Sequence, residues 1–186
     1  MYTEQTGLIL GFHGCGKELA ERVLLGTDDF IPSDRPFDWL GKGIYFWERD
    51  PVRAYEFALQ KRSKEPSVVG AIIDPGSSLD LRCRNNQEIM RAAYGNYCEE
   101  RGIPEQKNAS YKEGVPLRRE LDFAMIEAAC KFYFETGGKT FDTVIGTFLE
   151  GKEIYPGAGM RDKTHTQICV RNPDCILGYF NPKSMR

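Results

Sequence analysis

Apolar positions fall in short blocks, and none is long enough to span a membrane as a helix. "GLILGFHG" (7–14) is an apolar run closed by glycine, which predicts a buried strand. In "KELAERVLLG" (17–26), Leu19, Val23 and Leu24 share one helical face and a glycine stops the element. Residues 27–39, "TDDFIPSDRPFDW", hold prolines, aspartates and a serine and predict a loop. "GIYF" (43–46) is β-prone. Asp50 before Pro51 predicts a helix start: Asp caps, and Pro sits where its missing N–H costs nothing, so a helix is expected over 51–64. "SVVGAIID" (67–74) predicts a strand ended by "PGS", and "SSLDLR" (77–82) an extended piece or short strand. Two helices are expected over 85–101 and 117–136, the second lining up Leu121, Met125, Ala128, Ala129 and Phe132, with a polar connector over 102–116. "TFDTVIGTFL" (140–149), "THTQICVR" (164–171) and "CILGYF" (175–180) predict the closing strands. In the second of these, Thr164, Thr166, Ile168 and Val170 alternate with His165, Gln167 and Cys169. The Gly/Pro-rich stretch 150–163 between the first two is long enough to carry function. With no repeats, the pattern gives one α+β domain over 1–186.

Composition narrows this reading without redirecting it. A chain of 186 residues with 41% hydrophobic content can bury one real core. The formal net charge of -2 gives no global pull toward nucleic acid or an anionic membrane. "MYTEQTGLIL" lacks the basic start and long apolar core of a signal peptide. The six cysteines (Cys15, Cys83, Cys98, Cys130, Cys169 and Cys175) form no C-x-x-C pair, and histidine occurs only at 13 and 165. Zinc spacing is therefore missing, no metal is expected, and the thiols read as reduced and structural in a cytoplasmic protein.

"GFHGCGKE" (11–18) imitates a phosphate-binding loop: Gly11, four residues, then Gly16 and Lys17. Glu18 stands where that loop needs the hydroxyl that holds Mg²⁺, and a carboxylate there repels the phosphate. The alternating strand–helix units of such a sheet are also missing downstream.

Polar residues inside apolar strands carry more. His13 lies in "LILGFHG", Tyr45 in "GIYF" and Gln167 in "HTQICV", and each needs a partner or a use. Taken together, "FHG", "LGKGIYF" and a late polar strand residue resemble the poly(ADP-ribose) polymerase-like ADP-ribosyltransferases of the diphtheria-toxin type. That family carries a His-Tyr-Glu triad on three strands. The resemblance implies the ADP-ribosyltransferase fold, split antiparallel β-sheets flanked by helices, with NAD as substrate. It also implies roles. Tyr45 would give the nicotinamide cation a face to stack on, the Gly14 backbone would meet its carboxamide, and His13 would bond the adenine-side ribose. Gly41 and Gly43 would allow close approach of the chain to the ligand. Ser33 and Arg35, in "FIPSDRP", would sit near ribose and phosphate, and Tyr55 would supply a second stacking ring after a one-residue shift.

Gln167 departs from the family's glutamate and brings no negative charge. Relatives of this kind generally transfer a single ADP-ribose. Glu150 and Glu153, in the preceding loop, are candidates for orienting an acceptor or taking its proton. The expected activity is mono-ADP-ribosyl transfer to a protein or nucleic-acid acceptor, with Arg161, Lys163 and Arg171 as charges that keep RNA or DNA open. The free-standing form suits a toxin or anti-phage effector with an antitoxin or chaperone partner and no membrane attachment. A non-catalytic NAD or ADP-ribose binding module is the alternative. An RNA 2′-phosphotransferase of related fold is disfavoured by the tyrosine strand motif.

Overall fold

The computed structural model describes residues 7–61, 64–108 and 118–183. In chain order these form β1 (Ile9–Gly16), α1 (Lys17–Leu24), β2 (Ile44–Glu48), α2 (Pro51–Gln60), β3 (Pro66–Ile73), β4 (Ser78–Asp80), α3 (Arg84–Arg101), α4 (Glu120–Gly137), β5 (Thr143–Phe148), β6 (His165–Val170) and β7 (Ile176–Phe180). The α+β expectation holds. All seven strands join one sheet in the order β4-β5-β6-β2-β1-β3-β7, antiparallel except for the parallel β4–β5 pair. The strands thus form one mixed sheet, where split antiparallel sheets were expected.

That sheet is pinched in the middle. β1 pairs with β3 along its whole length, and β2 pairs with β6 over Ile44–Trp47. β1 and β2 meet only at Gly11↔Glu48 and Phe12↔Trp47. Past this join the ladder between them stops, although neither strand has ended.

Both faces of the sheet are covered, which explains why β6 is buried on both of its alternating rows. Ile168 and Val170 enter a core with Phe46, Val69, Ile73 and the α1 residues Ala20 and Val23. On the other face Cys169 joins Leu40, Val144, Phe148 and the α4 residues Ile126 and Cys130. Trp47, Ala54 and Val68 form a third cluster beneath α2. The buried row of α4 is Met125, Ile126, Ala129 and Cys130, while Phe132 is exposed. This row is rotated from the one expected, because α4 packs on the sheet and on α3 at once. α2 stops at Gln60, short of the expected 64. Most of the expected 102–116 connector, together with Leu117, lies outside the described residues. The cysteines of the described residues form no disulfide. No helix among these residues is long and apolar enough to cross a membrane.

Candidate active site

Where the β1–β2 ladder stops, a cavity of about 1050 Å³ opens, and His13, Tyr45 and Gln167 all line it. Their three strands are neighbours, in the order β6-β2-β1. The His13 ring spans the gap: its Nδ1–H donates to the Tyr45 carbonyl at 2.7 Å. That bond leaves Nε2 as an acceptor. Burial pushes the imidazole down to about 4, outweighing the backbone hydrogen bond, so the ring is neutral near pH 7. Phe30 packs on it with ring centroids 4.1 Å apart.

Tyr45 is held at both ends. Its backbone lies in β2, and its hydroxyl donates to the Gly41 carbonyl at 2.5 Å and accepts from Leu40 N–H at 3.0 Å. The turn it grips is pinned in turn by Glu127 of α4, which accepts from Lys42 N–H at 2.9 Å and pairs with Arg171 at 2.5 and 3.0 Å. Burial works against the Glu127 charge, but the Arg171 and Lys42 bonds prevail and hold the carboxyl below its ordinary range. Gly41 has φ +79°, and a Cβ there would lie 2.5 Å from Glu127 Oε1.

Packing within the protein itself requires these glycines. A Cβ on Gly14 would lie 1.8 Å from the Ala54 carbonyl oxygen, and one on Gly43 would lie 2.5 Å from Cys169 Sγ. Gly14 lets α2 press onto β1, and Gly43 lets β2 press onto β6. Both also border the cavity. Ser33 and Gly43 exchange backbone hydrogen bonds of 2.8 and 3.0 Å, which folds the 27–39 loop over the opening, with Arg35 on its wall.

Two expected residues are not part of the lining. Tyr55 packs instead with Trp47, Ala54 and Val68. Phe57 takes the second aromatic position in the cavity wall, with its ring centroid 4.9 Å from that of Trp47. Neighbouring helix residues point about 100° apart, so the shift to Tyr55 turned away from the cavity, whereas Phe57 stands four residues after Arg53 on the cavity face. Glu153 is exposed and spends its carboxylate inside its own loop, accepting from Gly157 N–H at 2.9 Å. Glu150 does line the cavity.

The charges expected for nucleic acid are also engaged within the molecule. Arg161 donates to the Gly151 carbonyl, Lys163 pairs with Glu56, and Arg171 pairs with Glu127.

Lining residues that sequence reasoning missed include Trp47, Arg53, Asp38 and Lys61. Arg53, Phe57 and Lys61 recur every four residues, a helical spacing that the sequence alone does not connect to the cavity. Lys61 sits over the Phe57 ring at 4.4 Å. Burial and the nearby positive charge of Arg35 lower its pKa. Among the described residues neither Lys61 nor Arg35 has a carboxylate within ion-pair distance, although the charge of Asp38, on the same wall, acts on Lys61. No group of His, Cys, Asp and Glu side chains among these residues could hold a metal ion.

In comparisons with protein-family models and with curated proteins, nothing matches the chain.

Proposed function

We propose that the protein is an NAD-dependent mono-ADP-ribosyltransferase of the PARP-like, diphtheria-toxin type, and that its sheet is a variant of the ADP-ribosyltransferase fold. The observation that carries the reading is the meeting of His13, Gly14, Tyr45 and Gln167 on one cavity, from strands adjacent in the sheet. The cavity is at the upper end of the range typical for small-molecule sites, roughly 300–1,000 Å³, which suits a dinucleotide. The Tyr45 ring offers a stacking face to nicotinamide, and the Phe57 ring offers a second. His13 Nε2 accepts from a ribose hydroxyl. Lys61 and Arg35, on one wall of the cavity, suit the diphosphate.

In the reaction the bond between ribose C1′ and the nicotinamide nitrogen breaks, and nicotinamide leaves with the bonding electrons. The acceptor's nucleophile forms the new bond to C1′ and gives up its proton. The transition state resembles an oxocarbenium ion and gains from negative charge close by. Gln167 supplies none, but its amide accepts from the ribose 2′-hydroxyl. Glu150 is the described carboxylate on the same β6 side of the cavity and serves as proton acceptor. Transfer stops at one unit in this account. A cytoplasmic toxin or defence effector, countered by an antitoxin, is the setting we infer.

The neutral Gln167 also favours a second reading, a non-catalytic NAD or ADP-ribose binding module. Incubation with labelled NAD and whole-cell extract separates the two. The transferase reading expects label on macromolecules and free nicotinamide, and digestion with protease, DNase or RNase then identifies the acceptor. Binding of NAD without nicotinamide release or label transfer would leave only the module.

A further inference from the structure

Gln167 leaves the site short of a carboxylate, and one side chain in the wall bears on where the substitute comes from. Arg53 lies in the first turn of α2, is only 8% exposed, and borders the cavity. The Asp50 cap fixes its backbone, accepting from Arg53 N–H at 2.9 Å. Its guanidinium divides between two carboxylates: Nη1 donates to Glu56 at 2.5 Å and Nη2 to Glu150 at 2.6 Å. Glu56 belongs to the same helix, but Glu150 lies in the loop just past the end of β5, 97 residues on.

This arrangement places Glu150 on the wall of the cavity that Gln167 also lines. Its carboxylate lies 3.7 Å from His165 Nδ1. His165 and Gln167 stand two positions apart on one face of β6, about 7 Å along the strand. His165 Nδ1–H donates to the Lys163 carbonyl at 2.7 Å, and burial lowers the pKa of the ring, so His165 does not supply the charge that holds Glu150. Lys163 pairs with Glu56 at 3.5 Å and is half-exposed. Arg53, only 8% exposed, is a buried cation in direct contact with Glu150.

We propose that Arg53 is a positioning residue that holds the Glu150 carboxylate at the cavity wall beside Gln167, so that Glu150 takes over the catalytic duty the glutamine cannot perform. The inference rests on the transferase reading above. An arginine suits the task because its planar fork reaches two carboxylates in fixed directions, whereas a lysine is a single point charge. At metal sites, loss of an outer group that orients a ligand typically costs 10–100-fold in activity, and a loss of the same order is expected for a group that orients a catalytic carboxylate.

The test is a double-mutant cycle on NAD cleavage with wild type, Arg53→Met, Glu150→Gln and the double variant, supported by tryptic cleavage of the 151–163 loop at Lys152, Arg161 and Lys163. Glu150→Gln should lower kcat about 100-fold, and Arg53→Met about 10–100-fold, with KM for NAD within threefold. The double variant should be no worse than Glu150→Gln alone. Multiplying losses would mean that Arg53 acts by itself, and an unchanged kcat in Arg53→Met would remove it from the mechanism; either result overturns the proposal. If Arg53→Met does not fold, Arg53→Lys replaces it, with an expected loss of about tenfold in kcat. If wild type cleaves no NAD, the transferase reading falls. Proteolysis then still decides the positioning claim: faster loop cleavage in the Arg53 variant supports it, and equal rates refute it.

Discussion

Tyr45 has two separable parts. Its hydroxyl serves the fold, tying the Leu40–Gly41 turn, and its ring serves the cavity. Tyr45→Phe leaves the Leu40 N–H without its partner and should cost about 1–3 kcal/mol in chemical denaturation. NAD turnover should then stay within about tenfold of wild type, because the ring face remains. A loss of turnover as deep in Tyr45→Phe as in Tyr45→Ala would assign the chemistry to the hydroxyl. Gly14 makes a similar point about what a motif glycine does. Gly14→Ala would push a methyl against the Ala54 carbonyl, a backbone atom that cannot rotate away. It should therefore destabilise by about 3 kcal/mol or more, through α2 packing. A cost below 1 kcal/mol would show that α2 can shift.

Elements differed in how far the sequence revealed them. β1 and β2 were legible as apolar runs with one polar interruption, and β6 as an alternating strand. The capped start of α2 was legible from Asp50 and Pro51. The sheet order was not, since no local pattern says that β6 pairs with β2 or that β1 and β2 touch over two residues. Nor was the cavity face of α2: the sequence pointed to Tyr55, and only the packed helix shows that Phe57 lines the cavity instead. The α4–turn contact was equally hidden, because Glu127 and Lys42 are 85 residues apart. It carries a prediction at this scale. Glu127→Gln weakens the Arg171 pair and the Lys42 bond together and should cost about 1.5–3 kcal/mol by denaturation. It should also loosen the turn, seen as faster amide exchange at Lys42 and a lower NAD affinity. Unchanged exchange at Lys42 would mean the turn holds itself.

Across the whole molecule, burial keeps two histidines neutral, and this sets a pH dependence. The folded pKa of His13 lies near 4 against 6.5 for an ordinary imidazole, and that of His165 is lowered as well. Below pH 6.5 the unfolded chain binds protons that the folded protein refuses, so stability falls as pH drops from about 6.5 toward 4. His13→Gln should flatten that slope in thermal unfolding; an equal slope would show that His13 does not contribute. The fold therefore keeps His13 uncharged in the neutral range, where a dinucleotide would meet it. The central claim is that this cavity binds and cleaves NAD, and nicotinamide release tests it most directly. With wild type, Gln167→Glu and Tyr45→Ala compared at pH 7, the account predicts slow release by wild type, faster release by Gln167→Glu, and none by a folded Tyr45→Ala. No release from a folded wild type, with none gained in Gln167→Glu, would contradict it.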